Sequence, residues 1–421
     1  MKNRIIGLFS LLILFLLFSP LRSMSFSVLT HEAIIDATWE KTLLPLLKQK
    51  FPKATEADIK KAHAFIYGGS IIPDLGYLPL GKIAFSNMLH YVRTGDFINA
   101  LFDGANNINE YAFALGVLCH YEADNYGHPL GTNKSVPILF PKLKNKYGNT
   151  VAYEQGHLEH KRVEFGFDVL QIAKGNYKGD AYHDFFGFQV SDTLLARAFE
   201  KTYGLELRSL FRSLPAAISI FRWSVKDFLP ELTRDAWRMK KADITKLNPL
   251  ATEKNYRYKS DKKKYKTEFE SPKVQSYFIL AFLGVLPKIG PLKSFKPKLP
   301  NDETEKFFNV SYATILTKYT EDAKKLMSKE STLKNLNLDT GKKIELGKYG
   351  LCDESYYWLL MKTKKKKFET IDDNLKQSLV AYFSSNDSSA TLKKNSHKEK
   401  KIKEALNELN NLAVSKTAEK N

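Results

Sequence analysis

Residues 120–128 have the sequence His-Tyr-Glu-Ala-Asp-Asn-Tyr-Gly-His. They follow an apolar run, 111–119, that predicts a buried helix. Side chains four residues apart lie on one helix face, so His120, Asp124 and His128 are expected to project together. Imidazole nitrogen and carboxylate oxygen are ligands that zinc prefers. Such a triad also occurs by chance, and the positions of the other histidines decide between the two interpretations.

The end of this helix is marked by Gly127 and Pro129, which flank His128. Proline disfavours a helical conformation in the residue before it, so the helix is predicted to end there. His128 then lies at the helix terminus and can face a different metal ion from the one held by His120.

The rest of the chain predicts an all-α protein, with a multi-helix domain and a helical C-terminal extension. The 421 residues contain several helix-spaced apolar stretches but no alternating β pattern and no internal repeat. The predicted organisation is a signal peptide (1–25), a catalytic domain (26–248), a basic linker (249–270), a helical region (271–385) and a polar, disordered basic tail (386–421). Within that tail, residues 402–412 are predicted to form a weak helix. Residues 132–150 are predicted to form a long loop.

The first 25 residues have the pattern of a secretory signal: Lys2 and Arg4, an apolar run at 5–18, and small residues before position 26. Cleavage before Phe26 predicts a secreted or periplasmic protein, while an uncleaved anchor is the alternative. The two cysteines, Cys119 and Cys352, cannot build a disulfide framework, and Cys119 is expected to be a buried thiol.

Positive charge dominates the composition, with a formal net charge of +19 and an isoelectric point near 9.5. Basic surfaces attract phosphates of nucleic acid or of anionic lipid, although lysine-rich segments are also common as solvated linkers. An apolar segment at 274–290 is too short to span a bilayer. It is predicted to be a core helix or, with the lysines at its end and just after it, a peripheral membrane contact.

Seven of the nine histidines lie before residue 165, together with three acidic residues that are candidate ligands. Asp74 lies in a predicted loop at 68–76, where glycine and proline constrain the backbone. His160 and Glu164 are four residues apart on another predicted helix. His157 is expected to be an accessory residue or a plain surface histidine, and His63 an ordinary helix residue.

The order of these histidine and acidic motifs along the chain resembles that of the zinc-dependent phospholipase C and single-strand nuclease superfamily. The resemblance is closest to the bacterial phospholipase C-like branch, which includes the N-terminal domain of glycosylphosphatidylinositol-specific phospholipase D. It covers residues 26–170 with motifs and, more loosely, the helices to about 245. The segments that carry it are Thr30-His31-Glu32, Ser70-Ile-Ile-Pro-Asp74, His120-Tyr-Glu-Ala-Asp124, His128-Pro-Leu-Gly131 and His160-Lys-Arg-Val-Glu164.

This resemblance implies three zinc ions in an all-helical domain. The first would be held by Asp74, His90, His120 and Asp124. The second would be held by His31, Asp124 and the amine and carbonyl of Phe26, and the third by His128, His160 and Glu164. The secreted members begin with Trp where Phe26 stands here, and their spacing between the residues equivalent to Asp124 and His128 is longer.

The resemblance implies hydrolysis of a phosphodiester, with Asp74 as the base that orients water. A phospholipase C-like hydrolase acting on a phospholipid is the leading hypothesis. A zinc-dependent single-strand nuclease is the first alternative, since tyrosines near the ligands are candidates to stack a base or surround a choline. A non-catalytic surface or adhesion protein stabilised by zinc is the second.

Overall fold

The computed structural model describes residues 28–78, 80–177, 189–223, 229–253, 297–384 and 396–412. Phe26, the predicted signal peptide and the apolar segment 274–290 lie outside these residues. Most of the predicted basic linker, 249–270, lies outside them as well.

The described residues are almost entirely helical, which confirms the all-α prediction. Their α-helices are α1 Val28–Thr38, α2 Leu44–Lys50, α3 Glu56–Ile71, α4 Ile83–Tyr91, α5 Thr94–Gly104, α6 Ile108–Gly127, α7 Asn133–Leu139, α8 Pro141–Tyr147, α9 His157–Ala173, α10 Asp192–Tyr203, α11 Leu207–Leu210, α12 Leu214–Trp223, α13 Leu229–Leu247, α14 Asp302–Met327, α15 Gly350–Lys365, α16 Asp373–Ser384 and α17 Ser396–Asn411. Short π turns at Trp39–Leu43 and His128–Thr132, and 3₁₀ turns at Ile72–Tyr77 and Tyr153–Gln155, connect some of them. A small antiparallel hairpin pairs β1, Leu336–Asn337, with β2, Lys342–Lys343.

Helix α6 lies at the centre of the fold, and α3 crosses it at very short range. The crossing depends on two glycines. A Cβ atom on Gly116 would stand 2.0 Å from the carbonyl oxygen of Ile66, and one on Gly69 would stand 2.2 Å from that of Phe113. Because no side chain separates the two backbones here, the 3₁₀ turn that follows α3 is held beside the second half of α6.

The C-terminal helices pack onto the same central helix. Tyr319 of α14 donates its hydroxyl hydrogen to the carbonyl oxygen of Leu115 (3.0 Å), and Tyr312 donates to that of Ala33 on α1 (3.0 Å). One continuous hydrophobic core contains buried residues of α6, α14, α15 and α17. Residues beyond 297 therefore contribute to the framework that supports the N-terminal helices.

The predicted loop at 132–150 is wrong, because most of it is helical. After α6 the backbone passes through the π turn into α7, and α8 follows from Pro141. Pro129 has no N–H to donate to the carbonyl of Asn125, and the wider π turn accommodates this missing bond without ending the helical path. The predicted helix end at His128 is thus a change of helical geometry.

The helix predicted at 402–412 within the polar tail is confirmed, and it begins earlier than expected, since α17 spans Ser396–Asn411. Ile402, Ala405 and Leu409 recur at helical spacing and are buried. They pack against α15 and α16. The prediction of disorder is therefore wrong for these residues.

Cys119 and Cys352 are both buried free thiols, as expected for Cys119. No helix among the described residues combines the length and the apolar character needed to cross a bilayer.

Candidate metal centre

Asp124, in the second half of α6, lies at the centre of the candidate site and is completely buried. Four histidine side chains approach its two carboxylate oxygens. The distances are 3.7 Å from His31 Nε2 and 3.6 Å from His128 Nε2 to Oδ1, and 3.3 Å from both His90 Nε2 and His120 Nε2 to Oδ2. The predicted joint projection of His120, Asp124 and His128 from one helix is confirmed.

Asp74 reaches this group from the 3₁₀ turn. Its Oδ1 atom lies 3.5 Å from His90 Nε2, and His90 Nε2 lies 3.1 Å from His120 Nε2. The predicted loop is a tight helical turn with Pro73 near its start, and it is buried throughout. The close crossing of α3 and α6 thus brings together Asp74 and His120, which are distant in sequence.

The orientation of two histidines is fixed by main-chain carbonyls. His90 Nδ1 lies 2.7 Å from the oxygen of Ser86, and His120 Nδ1 lies 2.9 Å from that of Ser70. An imidazole that donates its Nδ1 hydrogen to a carbonyl presents a lone pair at Nε2, which is the usual support of a metal-ligating histidine. Both Nε2 atoms point toward Asp124 and toward each other.

A third group lies on the other side of Asp124. His128 Nδ1 is 3.6 Å from Glu164 Oε1, and His160 Nδ1 is 3.8 Å from the same oxygen. His160 Nε2 contacts the carbonyl oxygen of Val151 at 2.7 Å, so its Nδ1 atom is the one directed at the site. All three ligand side chains are buried.

Three clusters of possible ligand atoms follow from these contacts. They are His31, His120 and Asp124; Asp74, His90 and His120; and His128, His160 and Glu164. Two ligands at about 2.0 Å from a tetrahedral zinc are separated by about 3.3 Å, which is close to most of the distances above.

Unsatisfied polar atoms provide an independent test of whether a cation fits. Asp74 Oδ1, His160 Nδ1 and both carboxylate oxygens of Glu164 are buried and have no hydrogen-bond partner among the described residues. A buried carboxylate without a donor costs several kcal/mol or more, on the order of the desolvation of a charged group. Metal ions would satisfy these atoms, and the donor set of imidazole and carboxylate suits zinc.

The charges of the site are strongly coupled. Burial raises the pKa of Asp124, but the neighbouring His120 and His128 outweigh it and hold this pKa well below its usual range. Burial raises the pKa of Glu164 to about 8 and lowers that of His160 to about 4. Burial therefore favours the neutral forms of Glu164 and His160, whereas the neighbouring histidines stabilise the charged form of Asp124.

Of the two remaining predicted residues, His31 belongs to the centre and His157 lies outside it. His31 of α1 is buried and stacks on His120 with ring centroids 4.6 Å apart. His157 is exposed at the start of α9, where it contacts the ring of Tyr153, and it belongs to none of the three ligand clusters.

Sequence reasoning missed Asp339, a buried residue of the C-terminal hairpin. Its Oδ2 atom accepts hydrogen bonds from the hydroxyls of Tyr91 (2.8 Å) and Tyr349 (2.5 Å). The adjacent Leu338 N–H bonds to the carbonyl of His90 (3.2 Å). The Asp-Thr-Gly turn at 339–341 was visible as a loop in the sequence, but nothing there linked it to a residue some 250 positions earlier.

The tyrosines expected to stack a base or surround a choline are mostly inaccessible. Tyr67, Tyr77, Tyr91 and Tyr121 are buried, and only Tyr126 is partly exposed. Their rings therefore favour neither substrate.

Comparison with known proteins gives one match. A family model described as zinc dependent phospholipase C matches residues 30–213. No curated protein and no solved structure matches the chain. The matched range contains all described candidate ligands and excludes the hairpin that carries Asp339.

Proposed function

We propose that the protein, whose residues 30–213 match the zinc dependent phospholipase C family model, is a secreted hydrolase of phospholipid phosphodiesters with a three-zinc centre. The observation that carries the proposal is the arrangement of three ligand clusters around one buried carboxylate, Asp124. The family supports zinc and hydrolysis, and the clusters support the number of ions.

The ligand assignment is the one that the resemblance implies. Asp74, His90, His120 and Asp124 would hold the first ion, and His128, His160 and Glu164 would hold the third. His31 and Asp124 would hold the second together with the main chain of Phe26, if signal cleavage exposes it as the mature N-terminus. Bound zinc ions would supply Lewis-acid activation of water and neutralisation of the phosphate charge.

The chain's own residues then have separate tasks. Asp124 lies between the ligands of the first two sites and would serve both, because His31 and His128 approach one of its oxygens and His90 and His120 the other. Asp74, with an unsatisfied Oδ1 atom, orients the attacking water and accepts its proton. The carbonyls of Ser70 and Ser86 keep His120 and His90 in the tautomer that leaves Nε2 unprotonated.

The experiment uses the secreted, zinc-loaded chain beginning at Phe26. Phosphatidylcholine vesicles and single-stranded nucleic acid are offered side by side, and zinc is quantified in the same sample. We expect release of phosphocholine that a chelator abolishes, intact nucleic acid, and about three zinc ions per chain. Cleavage of the nucleic acid alone would establish the nuclease alternative, and zinc without either activity would favour the structural role.

A substitution distinguishes a catalytic role of Asp74 from a role in the stability of the fold. Asp74→Asn should keep the helical content and lose most of the turnover, about 10²-fold or more, the usual loss for a general base. Asp103→Asn replaces an exposed carboxylate on α5 and serves as the matched control. Near-normal turnover in Asp74→Asn would refute its role.

A further inference from the structure

A cavity of about 610 Å³ lies between α4 of the matched family region and α15 of the C-terminal extension. This volume is within the roughly 300–1,000 Å³ that is typical of small-molecule sites. Neither the family match nor the candidate metal centre includes the α15 side of it. The cavity is called the α4–α15 groove below.

The lining of the groove is mostly apolar and aromatic. Met88 lies fully buried at its base, and Tyr357, Trp358 and Met361 are half-buried along one face of α15. The two rings leave part of their surface in solvent. Aromatic side chains in this half-buried state are typical of sites where an apolar ligand meets water.

The mouth of the groove is apolar as well. Ile83, which lines it, is 40% exposed, and Leu80, three residues earlier, is 47% exposed. Single exposed apolar side chains need no explanation, but Ile83 lines a cavity that is already apolar.

The rim of the groove is basic. Lys362 and Lys365 line it from α15 and are exposed, and Lys362 Nζ lies 5.5 Å above the ring of Trp358. Glu354 is the acidic residue among the lining side chains, and it is paired with Lys398 of α17. The exposed Lys366 and Lys367 follow directly.

We infer that the α4–α15 groove binds an anionic phospholipid, with an acyl chain along the apolar floor and the phosphate at the lysine rim. Its apolar floor and basic rim complement an amphipathic anion. The groove also adjoins the metal centre, because Tyr77 donates to Asn87 of the lining (3.4 Å) and packs on His90, with ring centroids 5.7 Å apart. Lipid held there keeps the catalytic domain at the membrane surface.

The inference rests on the proposed function for the nature of the lipid, but its test does not require turnover. Zinc-loaded chain is mixed with vesicles of phosphatidylcholine alone or with added phosphatidylglycerol, and bound protein is measured by sedimentation. We expect tighter binding to the anionic vesicles. A lysine close to an anionic surface contributes about fivefold to binding, so Lys362→Gln with Lys365→Gln should weaken binding about 25-fold. The matched control, Lys142→Gln with Lys144→Gln on α8, also removes two exposed lysines and should change it little.

Insertion of an acyl chain is tested with phosphatidylglycerol brominated on its acyl chains, which quenches nearby tryptophan. The chain has four tryptophans, and among the side chains that the structure describes Trp358 alone lines the groove. We expect quenching on binding that Trp358→Phe largely removes while binding is retained.

Three outcomes would overturn the inference: unchanged quenching in Trp358→Phe, equal binding to neutral and anionic vesicles, or a concentration-dependent dimer that vesicles cannot dissociate. The last would assign the groove to a second copy of the chain. Turnover of a water-soluble phosphocholine ester, measured on the same proteins, reports separately on the proposed function. The groove variants should leave it unchanged.

Discussion

The close crossing of α3 and α6 makes Gly116→Ala the most informative single substitution in the framework. The new Cβ would stand 2.0 Å from the carbonyl oxygen of Ile66 and 2.8 Å from the Cα of Gly69. Both neighbours are main-chain atoms, so no side chain can rotate away. Since Cβ atoms essentially never come within 3.0 Å of another heavy atom, the helices must separate by about 1 Å.

The expected cost follows from two opposing effects. Overpacking a well-packed core costs about 1–3 kcal/mol, and a rigid backbone contact belongs at the upper end of that range. Alanine regains about 1 kcal/mol of helix propensity relative to glycine. We therefore expect the free energy of unfolding to fall by about 2 kcal/mol.

The same displacement reaches the metal centre. His120 lies one turn after Gly116 and is held by the carbonyl of Ser70, the residue after Gly69. A 1 Å separation lengthens this 2.9 Å hydrogen bond and moves His120 away from Asp74. Bound zinc should therefore decrease as well.

The assay is denaturant unfolding together with zinc quantification. Gly104→Ala at the end of α5 is the control, because its Cβ would meet only the side-chain end of Leu194, at 3.2 Å. It should change stability by less than about 0.5 kcal/mol, as most mild substitutions do. If Gly116→Ala matched this control in both stability and zinc content, the claim that the glycine crossing positions the site would be refuted.

Three further substitutions probe other parts of the structure. Asp339→Asn weakens two hydrogen bonds to a buried charge and should cost about 1.5–3 kcal/mol in denaturant unfolding, with weaker zinc retention in a chelator titration; unaltered retention would separate the hairpin from the metal centre. Burial lowers the pKa of His63 to about 3, below its unfolded value, so its contribution to stability is complete above pH 6.5 and is lost as the pH falls toward 3. Relative to His63→Phe, the wild type should lose about 1 kcal/mol of unfolding free energy between pH 6.5 and 5. This is roughly half of the value expected from the full pKa shift, because the ring is partly exposed. Parallel pH profiles of the two proteins would contradict the expectation. Asn301→Ala removes the side chain that caps α14 and should cost about 1 kcal/mol in the same unfolding assay, whereas an unchanged midpoint would mean that the cap contributes nothing.

Much of the candidate site could be predicted because its ligands recur at helical spacing. His120 and Asp124 on α6 and His128 at the start of the π turn that follows it are spaced by four residues, as are His160 and Glu164 on α9. The side chains meet as that spacing requires. The approach of Asp74 to the histidines depends instead on the crossing of α3 and α6. Its place in the site was predicted from the resemblance to a family and not from helical periodicity.

What could not be predicted depends on contacts between distant segments. Asp339 looks like a turn residue in the sequence, and its burial follows only from the docking of the hairpin against Tyr91. The apolar stripe of α17 is narrow and surrounded by lysines, so its packing is decided by the partner helices rather than by its own composition. The continuation of the helix through Pro129 was not predicted, because proline disrupts the hydrogen bonds of an α-helix, whereas the chain forms a π turn at this point.

The C-terminal extension is connected to the metal centre through main-chain carbonyls. Tyr312 bonds to the carbonyl of Ala33 on α1, Tyr319 to that of Leu115 on α6, and Leu338 to that of His90 on α4. Each of these helices carries a candidate ligand, and hydrogen bonds to carbonyls fix a backbone without depending on its side chains. The extension thus restrains three ligand-bearing helices at once, which explains how residues outside the family match take part in positioning the residues inside it.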